Sequence, residues 1–143
     1  MPLKITSFTI LVEDVDKALE FYTEKLGFTK RMDGNIWVGI RWATVSPKNQ
    51  PDIQLSFTLA DDTTKFLAVG KQAPNSPLMF LETDDLKRDY TEMKARGVSF
   101  LSYPEEREWG TEVVFEDLYG NVFVLIQPPK KHLSVNTEKV LES

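Results

Sequence analysis

The chain has 143 residues, 41% of them hydrophobic and 27% charged, which suits one compact domain or two small halves sharing a core. A net charge of −5 repels phosphate backbones and argues against nucleic acid as a partner, and no apolar run approaches the roughly 18 residues that span a bilayer. There is no cysteine, which excludes disulfides, thiolate metal sites and cysteine nucleophiles. The first residues, MPLKITSF, lack the apolar core of a signal peptide, so the expected location is the cytoplasm.

Ile5 to Val12 alternates and is β-branched, which predicts a strand. Phe8, Ile10 and Val12 would face a helix, with Ser7, Thr9 and Leu11 on the other side. Asp14 is a good N-cap for a helix whose apolar stripe is Val15, Ala18, Leu19, Tyr22 and Leu26, ending at Gly27. Phe28 to Met32 reads as a strand, Asp33-Gly34 as a hairpin turn, and Asn35 to Ser46 as a strand with Gly39 as a bulge. Asp52 to Thr58 is a further strand. Residues 60–77 read as a linker, with one helical turn around Thr64 to Ala68.

The pattern then restarts. Leu78 to Thr83 predicts a strand, Asp84 or Asp85 caps a helix carrying Leu86, Tyr90 and Met93, and Gly97 ends it. Strands are expected at Val98 to Ser102, Gly110 to Asp117 and Val122 to Gln127, the last two joined by a turn at Tyr119-Gly120-Asn121. Residues 130–143 form a polar C-terminal tail. Asp85 follows Asp14 by 71 residues and Gly97 follows Gly27 by 70, so the chain is an internal repeat. Each unit, 4–59 and 77–128, reads strand, helix, strand, strand, strand. This bare pattern also allows a ferredoxin-like α+β pair.

The phrases EDVDKALEFYTEKLGF, RWATVSPKNQPDIQLSF and WGTEVVFEDLYGNVFVLIQP resemble the glyoxalase, bleomycin-resistance and extradiol-dioxygenase superfamily, the vicinal oxygen chelate proteins. The resemblance covers roughly residues 4 to 128. It implies an α+β fold of two tandem βαβββ modules forming a curled mixed sheet, one domain over residues 1–129, and a homodimer. One departure is Leu118-Tyr119 where the family's last turn usually carries a proline.

In metal-dependent members, ligands come from the first and last strands of each module. Counted from the helix caps and the last turn, those positions here are Ser7, Gln54, Leu78 and Val124. Leucine and valine donate nothing, and serine and glutamine are weak donors, so no metal or other cofactor is expected and a divalent ion is disfavoured. The single histidine, His132, lies in the tail and reads as a solvated residue. Glu82, Glu112, Glu116 and Asp117 read as carboxylates on a sheet facing water.

Strand parity with Ser7 and Gln54 gives Thr9, Ser56, Phe80, Glu82, Val122 and Val124 as lining residues, joined by Trp37, Arg41 and Trp109. Aromatic faces with a few polar groups are the usual lining of a small-molecule pocket. The expectation is a protein that binds a small molecule in a sheet-lined cleft without a metal, with no catalytic residue assigned. The alternative is a lyase or isomerase of the glyoxalase I type with atypical metal ligands.

Overall fold

A computed structural model describes residues 1–129. The chain divides into two compact units. The first is Met1–Asn75 with Leu118–Asn121, and the second begins at Ser76 and omits that short turn. Among the described residues no helix is long and apolar enough to cross a membrane.

The first unit is built on β1 (Ser7–Val12), α1 (Val15–Glu20), β2 (Thr29–Trp37), β3 (Ile40–Ser46), β4 (Gln54–Leu59) and α2 (Thr63–Ala68). Its mixed sheet has the order β1-β4-β3-β2, with β1 parallel to β4 and the other pairs antiparallel. The predicted cap forms: the Asp14 carboxylate accepts the Lys17 N–H at 3.0 Å. Past Glu20 the helix widens into a π-type turn, Phe21–Lys25, closed by a bond from Leu26 N–H to the Phe21 carbonyl. The Thr23 hydroxyl takes the Leu19 carbonyl at 2.7 Å, the kind of back-bonding that loosens a helix there.

This turn carries Tyr22, fully buried, onto Phe57 of β4 at 5.1 Å between ring centres and onto Phe21 and Phe28 at 5.5 and 5.8 Å. With Ile10, Val12, Ala18, Val45 and Leu55 these rings form the first core. Each large apolar side chain so buried contributes roughly 1.5–3 kcal/mol of transfer free energy.

The second unit holds β5 (Met79–Glu82), α3 (Leu86–Ala95), β6 (Ser99–Phe100), β7 (Glu105–Arg107), β8 (Gly110–Glu116) and β9 (Val122–Gln127). The sheet order is β5-β9-β8-β6, with β7 also paired to β8, and β5 runs parallel to β9. Asp85 caps α3 as Asp14 caps α1, accepting the Arg88 N–H at 3.1 Å. Val113, Phe115, Phe123 and Leu125 are buried on the face that carries α3, along with Leu86, Met93 and Val98.

Three expectations need correction. The first hairpin turns at Val38-Gly39, and Asp33-Gly34 lies inside β2. Gly39 supplies the positive φ of +77° that the turn needs, and the side chain of Asp33 is held by Arg41 across the ladder. The irregularities fall between Lys30 and Met32 and between Asn35 and Trp37, and none is at Gly39. The strand expected over Val98 to Ser102 is only two residues long, while Glu105–Arg107 forms a strand that the sequence did not suggest. The tail, with His132, lies outside the described residues.

Candidate functional site

Each sheet has one face on its helix and one turned away from it. In the first unit the register fixes the second face. Ser7 pairs with Gln54, Thr9 with Ser56, and Thr44 of β3 with Ser56. Residues paired in this way share a face, so Ser7, Thr9, Thr44, Gln54 and Ser56 lie together.

Their polar groups are ordered. The Thr44 hydroxyl donates to Gln54 Oε1 at 2.6 Å, and the Ser56 hydroxyl donates to the Phe8 carbonyl at 3.1 Å. Ser46, on the same parity, accepts from Arg31 Nε at 2.7 Å. Thr44, Ser46 and Ser56 are buried, Ser7 and Gln54 are half-buried, and Thr9 is exposed. No buried side-chain polar atom among the described residues lacks a partner. The face therefore offers fixed, uncharged hydrogen-bonding groups.

β1 is the outer strand of this sheet and would present bare backbone groups along its edge. Gln72 meets them: its Oε1 accepts the Leu11 N–H at 2.8 Å and its Nε2 donates to the Thr9 carbonyl at 2.9 Å. One amide side chain thus stands in for a neighbouring strand and holds β1 where Ser7 and Thr9 are displayed.

In the second unit Phe80 pairs with Val124 and Glu82 with Ile126, and Val122 has the same parity. These residues lie on the face opposite α3. Phe80 is 64% exposed, an unusual position for a phenyl ring on a strand, and Glu82 beside it is exposed as well. Glu112, opposite Ile126, is bonded to Arg107 Nε at 3.1 Å, and Arg107 also bonds Glu105 at 2.6 Å. Glu116 accepts from Ser99 at 3.3 Å. Asp117, expected to face water, is buried at 4% exposure.

The remaining candidates stand apart. Arg41 is on the helix side of the first sheet, in line with Ala43 and Val45. Its guanidinium bonds Asp33 at 2.9 and 3.0 Å and Asp16 at 2.8 Å. The two carboxylates raise the Arg41 pKa, and the Arg41 hydrogen bond lowers that of Asp33. This corrects Arg41 as a lining residue. Trp37, across from Ile40, ends β2 at the hairpin tip and is 69% exposed, and Trp109 sits in the β7–β8 turn. Thr44 and Met32, which face each other across β2 and β3, went unassigned in the sequence. The alternation Ala43-Thr44-Val45-Ser46, two apolar and two hydroxyl residues, was the signal for the first of them.

The register also revises the metal positions. Opposite Val124 stands Phe80. The Leu78 N–H bonds the Val122 carbonyl, two residues earlier. The paired positions are thus Ser7 and Gln54 in one unit and Phe80 and Val124 in the other. Neither pair, a hydroxyl with an amide or two hydrocarbons, supplies the imidazole, carboxylate or thiolate donors that a divalent transition metal takes three or four of. Among the described residues no three His, Cys, Asp or Glu side chains come together in a metal-holding group.

Residues 4–125 match the family model of the Glyoxalase/Bleomycin resistance protein/Dioxygenase superfamily. The chain belongs to that superfamily. Among similar proteins, an uncharacterized protein of Shewanella frigidimarina is 37% identical over 89% of this chain and 95% of its own length. Among solved structures of the superfamily fold, UcmS2 is 34% identical at a TM-score of 0.78, covering 88% of this chain and 98% of its own. TnmS3, described as an antibiotic binding protein from Streptomyces sp. CB03234, is 31% identical at a TM-score of 0.74, over 90% and 98% of the two chains.

Proposed function

We propose that this superfamily member is a binding protein that holds a small, partly aromatic or apolar molecule without a resident metal. The observation that carries this reading is that the pair Ser7 and Gln54 on one sheet and the pair Phe80 and Val124 on the other offer no imidazole or carboxylate, while Phe80 is an exposed phenyl ring. In the first unit, polar contacts are assigned to Ser7, Thr9, Gln54 and Ser56; in the second unit, Phe80, Val122 and Val124 are assigned, by themselves, as an apolar face that an aromatic group can cover. Glu82, which has no ion-pair partner among the described residues, is assigned to any basic group the molecule carries. The likeness to an antibiotic binding protein at 31% identity supports a sequestering role. The chain is further proposed to pair with a second copy. The exposed apolar residues Ile36, Trp37, Val38 and Ile40 at the first hairpin tip support this, and sedimentation velocity would show a dimer.

The test is a titration of the purified chain with a panel of aromatic antibiotics, followed by tryptophan fluorescence. A saturable change with at least one member is expected, weakened about tenfold or more in Gln54→Ala. The metal content of protein purified without chelator should be well below one ion per chain. Stoichiometric metal lost in Gln54→Ala, with isomerisation of a glutathione hemithioacetal on adding nickel or zinc, would replace this reading with a metal-dependent lyase.

A further inference from the structure

The second unit carries a groove of about 240 Å³ on its helix side. Its walls are Tyr90 and Lys94 of α3, Val98, and the segment Phe100 to Tyr103. Tyr90 and Lys94 are four residues apart, so they share one face of the helix. Phe100 pairs with Phe115 on that side of the sheet, away from Phe80 and Val124, so the groove is separate from the faces assigned above.

The chemistry of the groove is uneven in a useful way. Lys94 Nζ lies 5.4 Å from the centre of the Tyr90 ring and donates to its hydroxyl at 3.3 Å. Lys94 is the one charged side chain among the residues that line the groove, and no carboxylate lines it. Ser102 Oγ accepts the Val114 N–H at 3.0 Å, which leaves its O–H free to donate. Phe100 packs edge-on against Tyr90 at 4.6 Å and forms the apolar floor, while Tyr103 at the rim is 78% exposed.

We propose that this groove is a second binding site, for a monocyclic aromatic anion. The ring lies against Tyr90 and Tyr103, and the carboxylate takes the Lys94 ammonium and the Ser102 hydroxyl. The negative charge follows from Lys94, the one charged side chain of the lining. The size follows from the volume, which falls below the roughly 300 Å³ at which pockets for drug-sized ligands begin. An acidic peptide would need a longer groove.

The full chain, labelled with 15N, is titrated with phenylacetate and with its neutral isostere phenylacetamide, and amide shifts are followed. Phenylacetate is expected to give saturable shifts confined to residues 90–103, with phenylacetamide at least tenfold weaker. Lys94→Gln should weaken phenylacetate about tenfold with the other resonances unmoved, and Lys94→Arg should retain most of the affinity. Absence of saturable shifts, equal binding of acid and amide, or unchanged affinity in Lys94→Gln would each overturn the proposal. So would a Glu-Tyr-Glu peptide that saturates the same amides tenfold more tightly, since the occupant would then be a protein.

Discussion

Arg41 shows at the scale of single residues how a plausible ligand contact becomes a structural one. It was expected among the lining residues, but strand alternation puts it on the face opposite Thr44. On the helix side it meets Asp33 and Asp16. The Arg41 bond holds the Asp33 carboxyl below its ordinary value. A carboxyl with a lowered folded-state pKa adds stability that is present above its unfolded pKa, near 4, and is lost as the pH falls through the folded value. The pair is exposed, so it is worth under about 1 kcal/mol. Chemical denaturation should show Arg41→Met less stable than the parent at pH 7, with the gap closing below about pH 4. Ser7, Thr9, Gln54 and Ser56 share a face as strand parity suggested, because alternation is a local rule. The partner Thr44 depended on the turn position, which the residues alone misassigned.

Elements were legible where their signals lie within one turn. Asp14, Asp62 and Asp85 each accept the N–H three residues on, at 2.8 to 3.1 Å, and all three helices begin there. Replacing Asp85 by Ala should cost about 1 kcal/mol in thermal or chemical unfolding. The hairpin turn was less legible because Asp-Gly and Val-Gly compete, and the Arg41–Asp33 bond that accompanies the observed turn comes from the opposite strand. β7 carries Glu105, Glu106 and Arg107 and has no apolar alternation. Its ion pairs from Arg107 to Glu105 and Glu112 are visible only after pairing. The edge of β1 is a third case, since Gln72 is far away in sequence. Gln72→Ala should lose about 1 kcal/mol and expose backbone that other chains can pair with. Faster aggregation on heating, followed by light scattering, would check this.

For the whole molecule, the repeat was readable because caps, strands and turns recur at an offset near 70, and the family because the helix, third-strand and last-hairpin phrases resemble it. The division into units was less so, because the turn at Leu118–Asn121 belongs with the first. There the Tyr119 hydroxyl accepts the Asp14 N–H and donates to the Asp14 carbonyl, both at 3.1 Å. Burial raises the Tyr119 pKa, so the phenol stays protonated and able to donate. At Gly70 a Cβ would stand 1.9 Å from the Tyr119 carbonyl oxygen, and φ is +73°. Gly70→Ala should therefore destabilise the protein by at least about 2 kcal/mol, whereas Tyr119→Phe should cost about 1 kcal/mol in the same denaturation experiment.

That embrace of Tyr119 has a consequence for how the protein is made. A ribosome delivers residues 1–75 long before it delivers Tyr119. Until then the start of α1 lacks the phenol that grips the backbone of its capping residue, and Gly70 has nothing to pack on. The unit translated first therefore cannot close until Ser76–Asp117 of the other unit has also emerged.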